Sequence, residues 1–384
     1  MKKRSWAEME EGSVPQEPRE GPWSGFWRQF RKNRLATAGL VIFILFFLLA
    51  LAGRLLTMGE HPILDPALVR LPEKLRPPLS FPSRDVLRPE EVPRLGIYLL
   101  GTDDLGRDLF ARMLQGAWVS LTVGFVAVGI SVAIGVLLGG VAGYYGHRPV
   151  RLWHLLLAVL LGGIPLAHAQ WGWGGVGIWA LALGVLVAVR LGASGRNGMG
   201  ARLVLAPLFS VDALITGLID IMLCFPSFFL ILTVVALLPS SIYNIMAVIG
   251  LTSWMGAARF VRAEFLSLRE QDFVSAARAL GLSDRRIIFR HMVPNAVGPV
   301  LVSATIGIAG AILTESGLSF LGFGVPPPHA TWGNILADGR KFLFDAPWLT
   351  LIPGLAILVV VLAFNLFGEG LRDVLNPRLR ERLP

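Results

Sequence analysis

The chain has 384 residues, 54% of them hydrophobic and only 16% charged, with a mean hydropathy of +0.63. Soluble domains carry roughly a quarter charged residues, and here the charges cluster between long apolar runs, which excludes a soluble globular fold and points to a membrane protein. The net charge of +9 does not mark a nucleic-acid binder, because no basic helix or aromatic-interleaved groove accompanies it.

Residues 1–34 form a cytoplasmic N-terminal segment, of which 1–27 is charged, contains proline and lacks an apolar period, so it reads as a flexible lead. A crossing helix needs about 20 apolar residues, and 35–52 supplies the first. Arg28, Arg31, Lys32 and Arg34 precede it and Ala50-Leu51-Ala52 resembles a cleavage site. The lead is too long for a signal n-region, however, and the apolar run too long for an h-region, so 35–52 is read as an uncleaved first span. Residues 53–116 make an extracytoplasmic loop, whose stretch 60–94 holds Pro62, Pro66, Pro72, Pro77, Pro78, Pro82, Pro89 and Pro93 and is expected to be irregular.

Residues 117–370 are the transmembrane domain. Apolar runs lie at 117–144, 152–169, 171–189, 221–238, 242–258, 296–314 and 346–368, with only Gln170 between the second and third. Backbone groups in a bilayer must pair within their own segment, so these runs are expected to be helices. Cys224, the lone cysteine, sits in an apolar run and reads as a small buried hydrophobe. Eight alternating spans put 24 basic and 12 acidic residues on the cytoplasmic side against 11 and 12 in the first and last external loops. That asymmetry places both termini, including the tail 371–384, in the cytoplasm. In the last external loop, 314–348, Phe320, Phe323, Trp332 and Trp348 alternate with glycines and Pro326-Pro327-Pro328. These aromatics suit the membrane interface, or contact with a partner docked outside.

The cytoplasmic segment 270–295 carries the clearest pattern. Asp272 is positioned to cap a helix in which Phe273, Ala276, Ala277 and Leu280 share a face. Gly281 ends it by taking a left-handed conformation. Ser283 or Asp284 opens a second helix with Ile287, Ile288 and Met292 apolar and Arg285, Arg286 and Arg290 polar, and Pro294 is expected to stop it. Such a pair either lies on lipid or forms a knob for a cytoplasmic protein. The small Ala276, Ala277 and Gly281 favour the knob, because lipid does not require close backbone approach.

The string SAARALGLSDRRIIFRHMVPN (275–295) resembles the EAA loop of ABC-importer permeases, in particular the dipeptide/oligopeptide class. RKNRLATAGL (31–40), LGTDDLGRDLFARMLQGAWVSL (100–121), TESGLSFLGFGVPPPHATWGNIL (314–336) and FNLFGEGLRDVLNPRLR (364–380) look like further blocks of that class, in the same order. The resemblance covers most of 28–147 and 211–380. It implies an all-α polytopic protein with a six-helix ABC type I importer permease core in a bacterial or archaeal inner membrane. It also implies a second homologous permease subunit, two cytoplasmic ATP-binding subunits seated on the EAA-like loop, and an extracytoplasmic solute-binding protein. On that reading Asp272, Ser275, Ala276, Ala277, Leu280, Gly281, Asp284, Arg290 and Pro294 carry the coupling to the ATPase.

Two departures stand out. Ser275 replaces the usual Glu of the family, leaving Glu270 or Asp272 to supply the charge. Residues 147–210 intervene where the family runs on almost directly, and their two apolar runs are expected to add a helical hairpin, giving about eight spans; a re-entrant hairpin preserves the same parity. Among other candidates, Glu315 after a charge-free run is either a pathway residue or a carboxylate at an aqueous helix end. Asp212 and Asp220 read as helix-start charges, and His154 and His168 as interfacial rather than metal ligands. Pro226 and Pro353 are positioned to kink their spans.

No Gly-x-x-x-x-Gly-Lys-Ser/Thr is present, and 195–200 is glycine-rich without the lysine. No nucleophile–base arrangement stands out, so the chain reads as a transport subunit, not an enzyme, with ATP and magnesium on partner subunits. The expected cargo is a dipeptide or oligopeptide; nickel complexes, glutathione and short sugars suit the same architecture. An ion-gradient-driven secondary transporter is the alternative of another class, but its paired repeats and midplane charges are not visible. A membrane scaffold without transport is the third.

Overall fold

The computed structural model describes residues 22–59, 62–151, 157, 181–185, 187 and 207–375. The fold is almost wholly helical. Among the described residues five helices are long and apolar enough to cross a membrane, or six if one bent pair counts as a span. The runs 152–169 and 171–189, with His154 and His168, lie almost entirely outside the described residues, as does the tail beyond 375.

The first helix, α1 (Pro22–Lys32), begins inside the stretch expected to be flexible. Phe26, Trp27 and Phe30 recur at helical spacing, and Phe30 is buried against Phe367 with ring centroids 6.0 Å apart. Asn33 then caps α2 (Arg34–Thr57) by accepting from the Ala36 N–H at 3.1 Å. Its amide also reaches Asp373, 3.4 Å away. The start of α2 and the end of the last helix, α12 (Trp348–Leu375), therefore lie together.

Asp108 caps α3 (Leu109–Tyr145), accepting from the Phe110 N–H at 2.9 Å. At 37 residues α3 is about 55 Å long. The ladder that follows pairs β1 (Pro149–Arg151) antiparallel with β2 (Pro207–Ser210), Pro149 opposite Ser210. Both ends of the 147–210 insertion are thus held at one point, whatever its interior does.

The run 221–238 is not one straight span. It divides into α4 (Val211–Cys224) and α5 (Ser227–Leu237), bent by 81° where Pro226 and its extended neighbour Phe225 interrupt the ladder. Cys224 is exposed here, not buried. The next span breaks at Ser253 into α6 (Ile242–Thr252) and α7 (Trp254–Arg269), and so runs well past residue 258. After α8 (Asp272–Ala279) and the short α9 (Asp284–Arg286), a π-helical turn (Ile287–Met292) leads without interruption into α10 (Val293–Phe320). Pro294 therefore stops nothing: the wider turn accommodates a residue that cannot donate, and the helix continues. Pro353 likewise sits inside an unbroken helix. The short α11 (Trp332–Gly339) lies between α10 and α12.

The proline-rich segment between α2 and α3 has little regular structure, as expected, but it is folded. Tyr98 and Glu73 are fully buried within it, and burial pushes the Tyr98 phenol up to about 12. Gly106 turns the chain with φ +72°, where a Cβ would lie 1.8 Å from the Arg70 carbonyl oxygen.

Because the ladder clamps the two ends of the insertion together, cysteines at Arg148 and Ala213 in a Cys224→Ala background should react with a membrane-impermeant thiol reagent from the same side. Labelling of the two from opposite sides would break this description of the neck.

Candidate functional site

The EAA-like segment is built on a helix stop. Gly281 has φ +72°, its N–H donates to the Arg278 carbonyl at 2.9 Å, and the Leu282 N–H donates to the Ala277 carbonyl at 3.2 Å. This is a Schellman closure, with Leu282 folding back over the helix end. Gln271 occupies the cap position and makes no side-chain bond; Asp272 is the first helical residue rather than the cap.

The expected shared face divides in two. Val274 and Ala277 turn inward and pack with Phe265, Leu268, Ile287 and Met292, because a period of 3.6 brings residues three apart to one side. Ser275, Ala276, Leu280 and Gly281 turn outward with Asp272, and Leu280 is 80% exposed. A Cβ placed on Gly281 would meet nothing within 4 Å. Glu270 pairs with the adjacent Arg269 at 3.0 Å, and the carboxylates of Glu270 and Asp272 flank the exposed face that carries Ser275. Arg290 and Pro294 are exposed on the π-turn and the first turn of α10.

Asp284 fixes the pair to the end of α3. It accepts from Tyr144 Oη at 2.8 Å and from Arg148 at 2.9 Å, while the Arg278 guanidinium lies 5.2 Å from the Tyr144 ring centre. The Arg148 ion pair is solvent-facing and contributes at most about 1 kcal/mol; the bond from Tyr144 to a charged acceptor contributes about 1.5–3 kcal/mol. Nearby, Arg262 forks onto Asp212 with both nitrogens, and Arg259 meets Asp220 at 2.6 Å. Asp212 is in the first turn of α4, as expected of a helix-start charge. Asp220 is not: it lies well inside α4, and its role is to join α4 to α7.

Glu315 is neither at an aqueous helix end nor near the 270–295 loop. Its side chain is fully buried in α10 and accepts from Ser319 at 2.7 Å and Ser120 at 3.4 Å. It belongs to a junction, at the opposite end of α3 from that loop, that joins two of the sequence blocks. Gln115 accepts from the Ala330 N–H at 2.7 Å, Ser120 from the Trp332 N–H at 3.3 Å, and Trp332 Nε1 donates to the Met113 carbonyl at 3.2 Å. Trp332 is consequently a buried core residue, not an interfacial aromatic. Beside it, the buried Asp103 pairs with Arg107 at 2.7 Å and with Arg112, which also reaches Asp338 at 3.0 Å. The sequence signal for this junction was the acidic–basic alternation of 103–112, which composition alone could not pair with Asp338.

A helical bundle with apolar spans, a folded cap at one end and a loop with an exposed face at the other has the build of a polytopic membrane subunit. The chain belongs to the family of binding-protein-dependent transport system inner membrane components, whose model matches residues 180–381. A model for the N-terminal transmembrane domain of oligopeptide transport permease C matches residues 21–72. A dipeptide transport system permease protein of Alkalihalophilus pseudofirmus is 34% identical over 94% of this chain and 91% of its own length. An oligopeptide transport system permease protein of Bacillus subtilis is 29% identical over 94% and 90%. Among solved structures, the inward-facing methionine ABC transporter MetNI overlaps 68% of this chain and 95% of that chain at 15% identity, with a TM-score of 0.39.

Arg112 is almost wholly buried between Asp103 and Asp338, so Arg112→Ala removes charge-assisted bonds to both carboxylates, although Arg107 still pairs with Asp103, and should cost about 3 kcal/mol. The more exposed Arg107→Ala should cost about 1 kcal/mol. Thermal unfolding of the two purified variants checks this order; a greater loss in Arg107→Ala contradicts it.

Proposed function

We propose that this chain is the permease subunit of an ATP-driven importer that carries dipeptides and oligopeptides inward after an extracytoplasmic binding protein delivers them. The single observation that carries the coupling part of this reading is the outward face of α8, with Leu280 projecting beside small Ser275, Ala276 and Gly281, on a loop locked to α3 from within. Small residues around one apolar side chain suit insertion into a protein cleft, with backbone approach on either side. The names of the similar permeases from Alkalihalophilus pseudofirmus and Bacillus subtilis support peptide cargo. Nickel complexes, glutathione and short sugars are the alternative cargoes of the same architecture.

In this reading Asp272, Ser275, Ala276, Leu280 and Gly281 meet an ATP-binding subunit, while Ala277, Asp284, Arg290 and Pro294 shape and hold the loop. ATP and magnesium bind to two such subunits, and a second homologous permease completes the membrane part. Both termini lie in the cytoplasm. The excess of Lys and Arg supports that side, and the contact of Asn33 with Asp373 supports a common side for the two ends. Glu315, enclosed in the outer junction, positions the pathway helices rather than lining an open path.

Uptake of a di- to pentapeptide mixture into proteoliposomes holding the full complex tests the proposal. Wild type should import only with ATP and the binding protein, and Leu280→Asp should lose about tenfold or more, as expected for loss of an apolar anchor. Uptake that persists with a catalytically dead ATPase partner would favour an ion-gradient mechanism instead.

A further inference from the structure

A cavity of about 230 Å³ lies where α3, the α6–α7 break and α10 meet. Its lining includes Ala127, Ser131, Ser253, Gly256, Ser303 and Gly307, and no ionisable side chain. Each helix contributes from its middle: residues 127–132 of α3, 249–257 of the span Ile242–Arg269, and 303–311 of α10. The cavity therefore sits near mid-depth, far from either outer junction or coupling loop. At roughly 30 Å³ per molecule it has room for about eight waters.

Two independent features mark it as a wet, ligand-accepting place. The first is the helix break. At membrane depth an interrupted backbone is tolerated only inside protein or beside a water-filled cavity, yet Ser253 and Gly256 are exposed at the interruption, and Ser253 makes no side-chain cap. The second is the hydroxyl chemistry. Thr252 and Thr305 donate back to the Val248 and Leu301 carbonyls at 2.6 and 2.7 Å, as helical hydroxyls in an apolar setting do. Ser131, only 5% exposed, has no hydrogen-bond partner among the described residues, and neither do the hydroxyls of Ser253 and Ser303.

We infer that this cavity is the share of the solute path contributed by this subunit, and that it accepts the main chain of a peptide through the Ser131, Ser253 and Ser303 hydroxyls. The inference rests on the peptide-import reading. A neutral lining with small side chains binds amide groups common to all peptides and is indifferent to the charge of side chains passing it. Any recognition of a terminal ammonium or carboxylate must then come from outside this cavity. Ser303 and Gly307 are also spaced as residues that pack helices together in membranes, but here they help wall a concave space among three helices of one chain rather than a ridge.

The test uses the complete complex in proteoliposomes, with Cys224→Ala as background and Ser131→Cys or Ser303→Cys introduced singly. A cationic methanethiosulfonate reagent should modify both, at rates differing by about tenfold or more between nucleotide-free and vanadate-trapped states, since access alternates across a mid-membrane site. Cysteines that stay unreactive in both states, or that cross-link to the partner permease in both, would show a packed helix interface and overturn the inference. If unreactive complexes still import the peptide mixture with ATP, the cavity assignment fails while the import reading stands. If reactive wild-type-like complexes fail to import it, the import reading fails and the solute assignment with it.

Discussion

The seam between α3 and α7 is the constraint on which the rest of the molecule depends. Gly135, Gly139 and Gly143 recur every fourth residue and lie against Ala257, Ala258 and Phe265; a Cβ on Gly139 would fall 2.4 Å from the Ala258 carbonyl oxygen. In lipid there is little hydrophobic drive to join helices, so close backbone approach supplies much of the attraction. That seam binds the 37-residue α3 to the helix that leads directly into the 270–295 loop. The N-terminal end of α3 holds the 330–338 segment through Arg112, Gln115 and Ser120, and its C-terminal end holds Asp284 through Tyr144. One continuous helix thus connects that junction to the loop.

This arrangement gives the loop a firm base and a free face. The interior contacts of Val274, Ala277, Ile287 and Met292 fix how α8 sits on α7 and α10, and the π-turn joins the loop to α10 without a break. The interruptions lie elsewhere, at the 81° bend before α5 and at the Ser253 break. The loop is thus joined to α10 by continuous helix and to α3 by side-chain bonds, while the breaks fall in other parts of the bundle.

Much of this was legible in the residues. Apolar runs located α2, α3, α10 and α12, because length and the absence of charge are local properties. Gly281 announced its helix stop for the same reason. Asp220 was misread, and the surroundings of Glu315 and Arg112 went unread, for one cause: their partners are distant in sequence. Glu315 meets Ser120, Asp220 meets Arg259, and Arg112 meets Asp338 across intervals that no periodicity records. Trp332 looked interfacial because an aromatic beside glycines and prolines does, yet Met113 and Ser120 draw it into the core. Pro294 looked like a terminator because a local rule makes it one; a π-turn, set by tertiary packing, absorbs it. The outward face of α8 was recognisable by composition, but which residues point out depended on a phase that the pattern left open by about one position.

The account stands on the exposed face of α8 lying inside the cell against a nucleotide-hydrolysing subunit. A single cysteine at Ala276, with Cys224 replaced, and a short bifunctional cross-linker in intact membranes test this directly. The account predicts capture of an ATP-binding subunit, with a yield that changes when ATP is added. Capture of no such subunit, or modification of that cysteine by an impermeant reagent applied from outside, contradicts it.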